Sequence, residues 1–281
     1  MSNQFCILNG KLIKGSNACI SPFDRGFMYG DGIFDTLFVR NGQLFLFDEH
    51  ITRLLDNLST ISITHPYTID MIRKMITELI DKNNLTETDA YVRTTITRGI
   101  NAGQMFYKPT EPTLIILAGA VKETSIEQRE NGVSCTISKI VRLSENPLSN
   151  IKSLNFLWSI YGMKQAAEES KDDCIFINDK GNITECSTSN IFIVKDGVVS
   201  TPYVNSGILP GVTRDYMIDL LKKNAIPTDE RAISKEEMLN ADELFLTSSV
   251  KGVTPVRSIG DLSFNNSFVK RVQDIYFASI P

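Results

Sequence analysis

Several stretches in the second half of the chain carry side chains that could do chemistry together. The first is Asn150-Ile151-Lys152-Ser153-Leu154-Asn155-Phe156-Leu157, where one lysine stands between a polar loop (Ser144, Asn146, Pro147, Ser149) and a segment whose Leu154, Leu157 and Tyr161 recur at helical spacing. This spacing predicts a helix that starts close to Lys152. A helix N-terminus is a poor place for an ammonium group, because the helix dipole is positive there. The same placement suits a lysine that must act as a neutral nucleophile, since burial and nearby positive charge lower its pKa towards the range where the amine attacks a carbonyl. Alone, a lysine so placed reads as a solvated surface residue; its companions along the chain change that.

The second stretch is Ile183-Thr184-Glu185-Cys186-Ser187-Thr188-Ser189-Asn190, which leads into the apolar run Ile191 to Val194. Such a run of hydroxyls is often a turn, but here it places Glu185 near the buried end of a sheet, where a carboxylate needs a cationic partner. The third is Gly207-Ile208-Leu209-Pro210-Gly211-Val212-Thr213-Arg214 ahead of a helix with Met217, Leu220 and Leu221 inward. Backbone N–H groups at a helix start, together with a hydroxyl, make a seat for a phosphate. The fourth is Leu244-Phe245-Leu246-Thr247-Ser248-Ser249, a strand that ends in hydroxyls. A nucleophilic lysine, an acid ahead of a strand and a phosphate seat are the parts that a pyridoxal phosphate site requires.

The elements that must position these groups follow from periodicity. Phe5 to Leu8, the Asn9-Gly10 turn and Lys11 to Ile13 make an opening hairpin. Leu37 to Arg40 and Gln43 to Phe47 flank a second turn at Asn41-Gly42. Ile51, Leu54, Leu55 and Leu58 then mark an amphipathic helix with Asp48 as its expected cap, and His50 and Arg53 fall off its apolar stripe, where side chains are usually solvated. A helix over 68–82, strands at Tyr91 to Thr97 and Thr113 to Leu117, and a charged, aperiodic segment over 119–128 complete the first half. The expected organisation is a small N-terminal α/β domain over 1–118, a linker over 119–128 and a larger domain over 129–281 that carries the lysine. In the second half, Val133 to Val141, Cys174 to Ile177 and Ile191 to Val194 read as strands, Ser234-Lys235-Glu236-Glu237 as a capping box, and Phe268, Val272 and Ile275 as the inner face of a terminal helix.

Composition removes other classes of function. With 42% hydrophobic and 22% charged residues the 281-residue chain is globular, and its formal net charge of -4 disfavours nucleic acid and anionic membranes as partners. The start lacks the apolar run of a secretory signal, and the longest apolar run, Leu114 to Val121, is too short to span a bilayer. Five cysteines with no CxxC spacing suit reduced thiols in a cytoplasm, and the two histidines, His50 and His65, cannot build a histidine-rich metal centre; no metal is expected. Acid and base work therefore falls to lysine, carboxylate, tyrosine or a cofactor. The glycines of Gly30-Asp31-Gly32 belong to no GxGxxG or Walker pattern, so a nucleotide loop is not expected there.

From Asp24-Arg25-Gly26 to Thr254-Pro255-Val256 these motifs resemble the class IV, fold-type IV pyridoxal phosphate enzymes, which include branched-chain aminotransferase, D-amino acid aminotransferase and aminodeoxychorismate lyase. The resemblance implies an α/β (α+β) two-domain fold with the cofactor in the interdomain cleft, in a homodimer whose pockets are completed by the loop around Tyr29 of the other subunit. It implies that Arg53 of His50-x-x-Arg53-Leu54 binds the phosphate, that Lys152 is the Schiff-base lysine and proton shuttle, and that Glu185 partners the pyridine nitrogen. It further implies that Leu209 packs on the ring, that Gly211, Val212, Thr213, Ser248 and Ser249 hold the cofactor, and that Val250 lies on the substrate side.

Within the family, the chain resembles D-amino acid aminotransferases in Ile151-Lys152-Ser153-Leu154-Asn155, but Ile100-Asn101-Ala102-Gly103-Gln104-Met105 lacks their Arg-x-His carboxylate trap. It resembles aminodeoxychorismate lyases in Phe34-Asp35-Thr36, which leaves Thr36 available to substrate, without their arginine in that loop and with Ser248 where asparagine is common. It resembles branched-chain aminotransferases in Tyr91-Val92-Arg93 ahead of Gly99 and in Tyr29, though Phe156 stands for their tyrosine and Asp35 for their glutamate. The expectation is an aminotransferase moving the amino group of a branched-chain L-amino acid to a 2-oxo acid such as 2-oxoglutarate, with D-amino acid aminotransferase or the pyruvate-releasing lyase as alternatives. Tyr91 and Arg93 are expected to receive a substrate carboxylate, and Tyr29, Phe34 and Trp158 to form an apolar wall.

Overall fold

The computed structural model describes residues 4–100 and 111–281. The stretch 101–105, where the Arg-x-His is missing, lies outside the described residues. Contacts divide the chain into two units, 1–121 with Lys152–Asn155 and Pro281, and 122–151 with 156–280. Lys152 thus groups with the first unit, not with the 129–281 segment to which the sequence pattern assigned it.

The first unit contains β1 (Phe5–Leu8), β2 (Lys11–Lys14), α1 (Arg25–Tyr29), β3 (Gly32–Arg40), β4 (Gln43–Phe45), α2 (Phe47–Thr60), α3 (Ile69–Lys82), β5 (Ala90–Thr97) and β6 (Thr113–Ala120). Among the described residues the strands pair antiparallel in the order β2-β1-β6-β5-β3-β4. Helix α2 lies on β3, and α3 on β1 and β6. Leu54, Leu58, Ile72 and Ile76 are fully buried there. Each contributes about 1.5–3 kcal/mol, several times the ~0.7 kcal/mol range of helix propensity, so burial decides which face each helix presents. Asp48 does not cap α2. Because Phe47 is itself drawn into the core, the helix starts earlier, from a left-handed Leu46 at φ 52, and leaves Asp48 in the first turn.

The second unit contains α4 (Glu123–Asn131), β7 (Val133–Arg142), α5 (Leu157–Glu168), β8 (Asp173–Asn178), β9 (Ile183–Cys186), β10 (Asn190–Lys195), β11 (Val198–Pro202), α6 (Val212–Lys223), β12 (Thr228–Arg231), α7 (Lys235–Leu239), β13 (Glu243–Ser248), β14 (Gly252–Ile259), β15 (Leu262–Ser263) and α8 (Ser267–Ala278). The segment over 119–128 is not structureless, since β6 runs on to Ala120 and α4 begins at Glu123. The main path of strands is β12-β11-β10-β13-β14-β7-β8-β9, and β9 also meets β10 through the pair Glu185 and Asn190, so the path from β10 to β9 closes on itself. Val133, Ile175, Ile191, Ile193, Leu244, Leu246 and Val256 fill its core. Ser234 caps α7 by accepting from the Glu237 amide, as the capping box predicts.

The helix after Lys152 departs most from its pattern. It starts at Leu157, buries Ser159, Gly162, Gln165 and Ala166, and exposes Leu157, Trp158, Ile160, Tyr161 and Met163. Leu154 precedes it at a bend, outside the helix. The apolar spacing that suggested a helix face is therefore not a core-facing stripe, and Trp158, 53% exposed, does not point into the core of its unit.

Candidate active site

Lys152 is placed by backbone pairing, not by a helix. Ser153 makes an isolated antiparallel bridge to Ile33 near the start of β3, the Phe34 amide donates to the Lys152 carbonyl at 3.0 Å and the Leu154 amide to the Gly32 carbonyl at 2.9 Å. The lysine lies outside α5, which begins only at Leu157. Its ammonium instead stands 4.7 Å from the centroid of the Phe34 ring. The Arg93 guanidinium lies over the same ring at 3.6 Å. Such cation–π contacts are worth about 0.5–2 kcal/mol each and hold both cations on one aromatic platform.

Register explains the platform. Strand β3 pairs with β5 so that Thr36 opposes Arg93, Phe34 opposes Thr95 and Phe38 opposes Tyr91, and opposed residues share a face of the sheet. Phe34, Thr36, Tyr91 and Arg93 are thus on one face, while Asp35, one residue out of phase, points to the face covered by α2. Among the described residues Arg93 makes no ion pair with a carboxylate. Burial draws its pKa down from the ordinary arginine value, with Asp35 and Tyr91 pulling the other way.

On the α2 face Asp35 is 2% exposed and accepts from Arg53 Nε and Nη2 at 2.8 and 2.9 Å, with His50 Nδ1 at 2.8 Å. Burial by itself would raise the Asp35 pKa; Arg53 and His50 outweigh it and hold the carboxyl well below the usual carboxylate range. His50 and Arg53 are therefore not a solvated face. Periodicity missed this because the partner that draws them inward comes from another strand. Tyr29, at the end of α1, is 46% exposed, with Arg25 5.1 Å from its ring centroid.

In the second unit Glu185 is buried at the seam between β9 and β10. Arg142, the last residue of β7, places Nη2 3.1 Å from its Oε1, and the Leu209 amide donates to its Oε2 at 2.9 Å. The cationic partner that a buried carboxylate demands is thus Arg142, which nothing in the local spacing singled out. Asn190, paired with Glu185 in register, donates from Nδ2 to the Leu209 carbonyl at 2.8 Å. Gly211 then serves as N-cap of α6 with no side-chain cap, which leaves the first amides of Val212 and Thr213 without a capping side chain. A Cβ at Gly211 would lie 2.0 Å from Asn190 Oδ1, so only glycine permits this approach.

The hydroxyls at the end of β13 divide by role. Ser248, Ser249 and Val250 are half-buried at the β13 to β14 turn. Thr247 opposes Asn190 across β10 and β13, so it shares that face, and its buried hydroxyl has no partner among the described residues. An orphaned buried hydroxyl costs about 1–3 kcal/mol, which an anion accepting from it would recover. An uncapped helix start, a glycine that keeps the approach open and an orphaned hydroxyl on the adjoining strand fit a phosphate group. Burial pushes the Cys174 thiol up to about 12 and raises the Cys186 thiol as well, so neither competes as a nucleophile here. Among the described residues no group of His, Cys, Asp and Glu is arranged to hold a metal ion, and no helix is long and apolar enough to cross a membrane.

Comparison with known proteins agrees with this architecture. The family model for amino-transferase class IV matches residues 32–259. A putative branched-chain-amino-acid aminotransferase of Methanocaldococcus jannaschii is 34% identical over 94% of this chain and 91% of its own. A D-alanine aminotransferase of Listeria innocua is 31% identical over 90% and 86%, and an aminodeoxychorismate lyase of Bacillus subtilis 29% over 92% and 88%. Among solved structures, the branched-chain amino acid aminotransferase of Escherichia coli superposes with a TM-score of 0.90 at 27% identity, covering 99% of this chain and 94% of that one. A hypothetical aminotransferase of Mycobacterium tuberculosis, solved in a PLP-bound form, superposes with a TM-score of 0.90 at 20% identity over 98% of both chains. The chain belongs to the class IV aminotransferase family, and its fold is that of the fold-type IV enzymes.

Proposed function

We propose that this protein is a pyridoxal phosphate-dependent aminotransferase of branched-chain type, which moves the amino group of a branched-chain L-amino acid to a 2-oxo acid such as 2-oxoglutarate. The observation that carries the substrate assignment is Arg93, a half-buried guanidinium seated on Phe34 beside Thr36 and Tyr91, with no carboxylate of the described residues paired to it. A fixed guanidinium grips a carboxylate bidentately, so Arg93 and Tyr91 would receive the carboxylate of glutamate or 2-oxoglutarate. The Phe34 ring, with Tyr29 and Val250, would give an apolar substrate side chain a dry wall and exclude charged ones by desolvation.

Pyridoxal phosphate, when bound, supplies a carbonyl for amine attachment and an electron sink for the substrate's α-carbon. Lys152 would hold the cofactor through Nζ and then carry the α-proton as a general base. Glu185, fixed by Arg142 and the Leu209 amide, would accept from the ring N–H. The amides of Val212 and Thr213, with Gly211, Arg53, Ser248 and Ser249, would bind the phosphate, and Leu209 would pack on the ring.

A homodimer fits the same proposal. The exposed Phe27, Met28 and Tyr29, and the exposed Leu157, Trp158, Ile160 and Tyr161 of α5, are large apolar groups of the kind that interfaces cover. A cytoplasmic location is proposed on the odd, unpaired cysteines alone.

The test is single-turnover bleaching of the cofactor's visible band with a panel of L- and D-amino acids and with aminodeoxychorismate. Fast reaction with L-leucine and L-glutamate is expected. Reaction confined to D-alanine and D-glutamate would make the protein a D-amino acid aminotransferase, and release of pyruvate from aminodeoxychorismate would make it a lyase. Lys152→Ala should abolish the visible band; an unchanged spectrum would remove the assignment of the cofactor to that lysine.

A further inference from the structure

Arg142 is a half-buried cation that the sequence pattern did not single out, and its surroundings give it one task. Its side chain is 14% exposed and that of Glu185 11%. The Nη2 group lies 3.1 Å from Glu185 Oε1 and donates to the Gly207 carbonyl at 3.3 Å, while the guanidinium carbon stands 5.6 Å from the centroid of the Phe176 ring. The other Glu185 oxygen accepts from the Leu209 amide. One guanidinium therefore connects β7 both to the acid on β9 and to the 207–211 loop that delivers Leu209 and the start of α6.

That loop is not adjustable. Gly207 has φ +92, and a Cβ there would lie 2.6 Å from the Leu143 carbonyl, so the loop is pressed against the end of β7 next to Arg142. Asn190 fixes the far end of the same loop through the Leu209 carbonyl.

We infer that Arg142 is a positioning residue that acts through Glu185, holding the carboxylate ionised and turned so that it accepts a hydrogen bond from a cationic ring N–H. A buried carboxylate that loses its guanidinium partner takes up a proton more readily, and a neutral acid no longer favours a protonated ring. Its guanidinium forks between an acid and a carbonyl, which a lysine reproduces only in part, as one point charge. This inference rests on the proposed pyridoxal phosphate site.

The experiment is a double-mutant cycle read as pyridoxal phosphate affinity, by spectroscopic titration of cofactor-stripped protein. Arg142→Met and Arg142→Lys are each measured with Glu185 intact and in Glu185→Gln. With Glu185 intact, Arg142→Met should weaken binding at least tenfold and Arg142→Lys should recover part of the loss. In Glu185→Gln, where there is no charge to hold, Arg142→Met should change binding by less than about twofold, because coupled residues are not additive. Equal losses in both backgrounds would show that Arg142 merely supports the fold and would overturn the inference alone, as would an Arg142→Met protein that binds like wild type. If Arg142→Met does not fold, Arg142→Lys carries the same cycle, and an equal loss in both backgrounds overturns the inference in that variant too. Wild-type protein that binds no pyridoxal phosphate at all would instead overturn the proposed function, and this inference with it.

Discussion

Replacing Asp35 by asparagine should destabilise the first unit far more than a change of one atom suggests. Asp35 is 2% exposed and pairs with Arg53 through both oxygens at 2.8 and 2.9 Å, with His50 at 2.8 Å. Asparagine keeps the volume but removes the charge, and its amide NH2 must face either Arg53 or His50. Breaking a buried pair by removing one partner costs about 3–5 kcal/mol, because the other charge stays buried and uncompensated. For a protein of this size that corresponds to a fall of about 6–20 °C in Tm, at about 2–4 °C per kcal/mol.

The assay is urea denaturation at neutral pH, repeated in Arg53→Met, where the loss caused by Asp35→Asn should shrink because no guanidinium is left unpaired. The pH dependence has a fixed sign. The folded-state pKa of Asp35 is depressed, so its stabilising effect is complete above the unfolded value of about 3.9 and is lost as pH falls through the folded pKa. The gap between wild type and Asp35→Asn should stay constant near neutrality and close in acid. A variant within about 0.5 kcal/mol of wild type at pH 7, the usual range of a surface substitution, would refute the pairing.

Gly211→Ala should lose cofactor affinity by an order of magnitude or more in a spectroscopic titration, since its Cβ would strike Asn190 Oδ1 and move either the Leu209 carbonyl or the start of α6; unchanged binding would contradict the proposed phosphate seat. Arg93→Met should raise KM for 2-oxoglutarate at least tenfold while altering that for a branched-chain substrate much less, and steady-state kinetics with both would expose an equal effect on the two as a structural one.

The sequence by itself determined the family and most of the elements. Period and turn residues located the helix over 68–82, the strand over 91–97 and the opening hairpin, because those features are local and each carries its own stop signals. The types and order of Lys152, Glu185 and Gly211-Val212-Thr213 were enough to indicate a family, because such chemistry tolerates few substitutes. What lay beyond the sequence was every choice made by a distant partner. The spacing of Leu154, Leu157 and Tyr161 looked like a buried helix face, yet Leu154 is pulled into pairing with Gly32 and the apolar side of α5 is exposed. His50 and Arg53 looked solvated because Asp35, on another element, meets them only when α2 packs on β3. Glu185 could be seen to need a cation, but Arg142 is supplied by the closure of β7, β8 and β9, and no local pattern encodes which strand end meets which. Periodicity reports which way a side chain faces on its own element; only the packing of one element on another decides what it meets there.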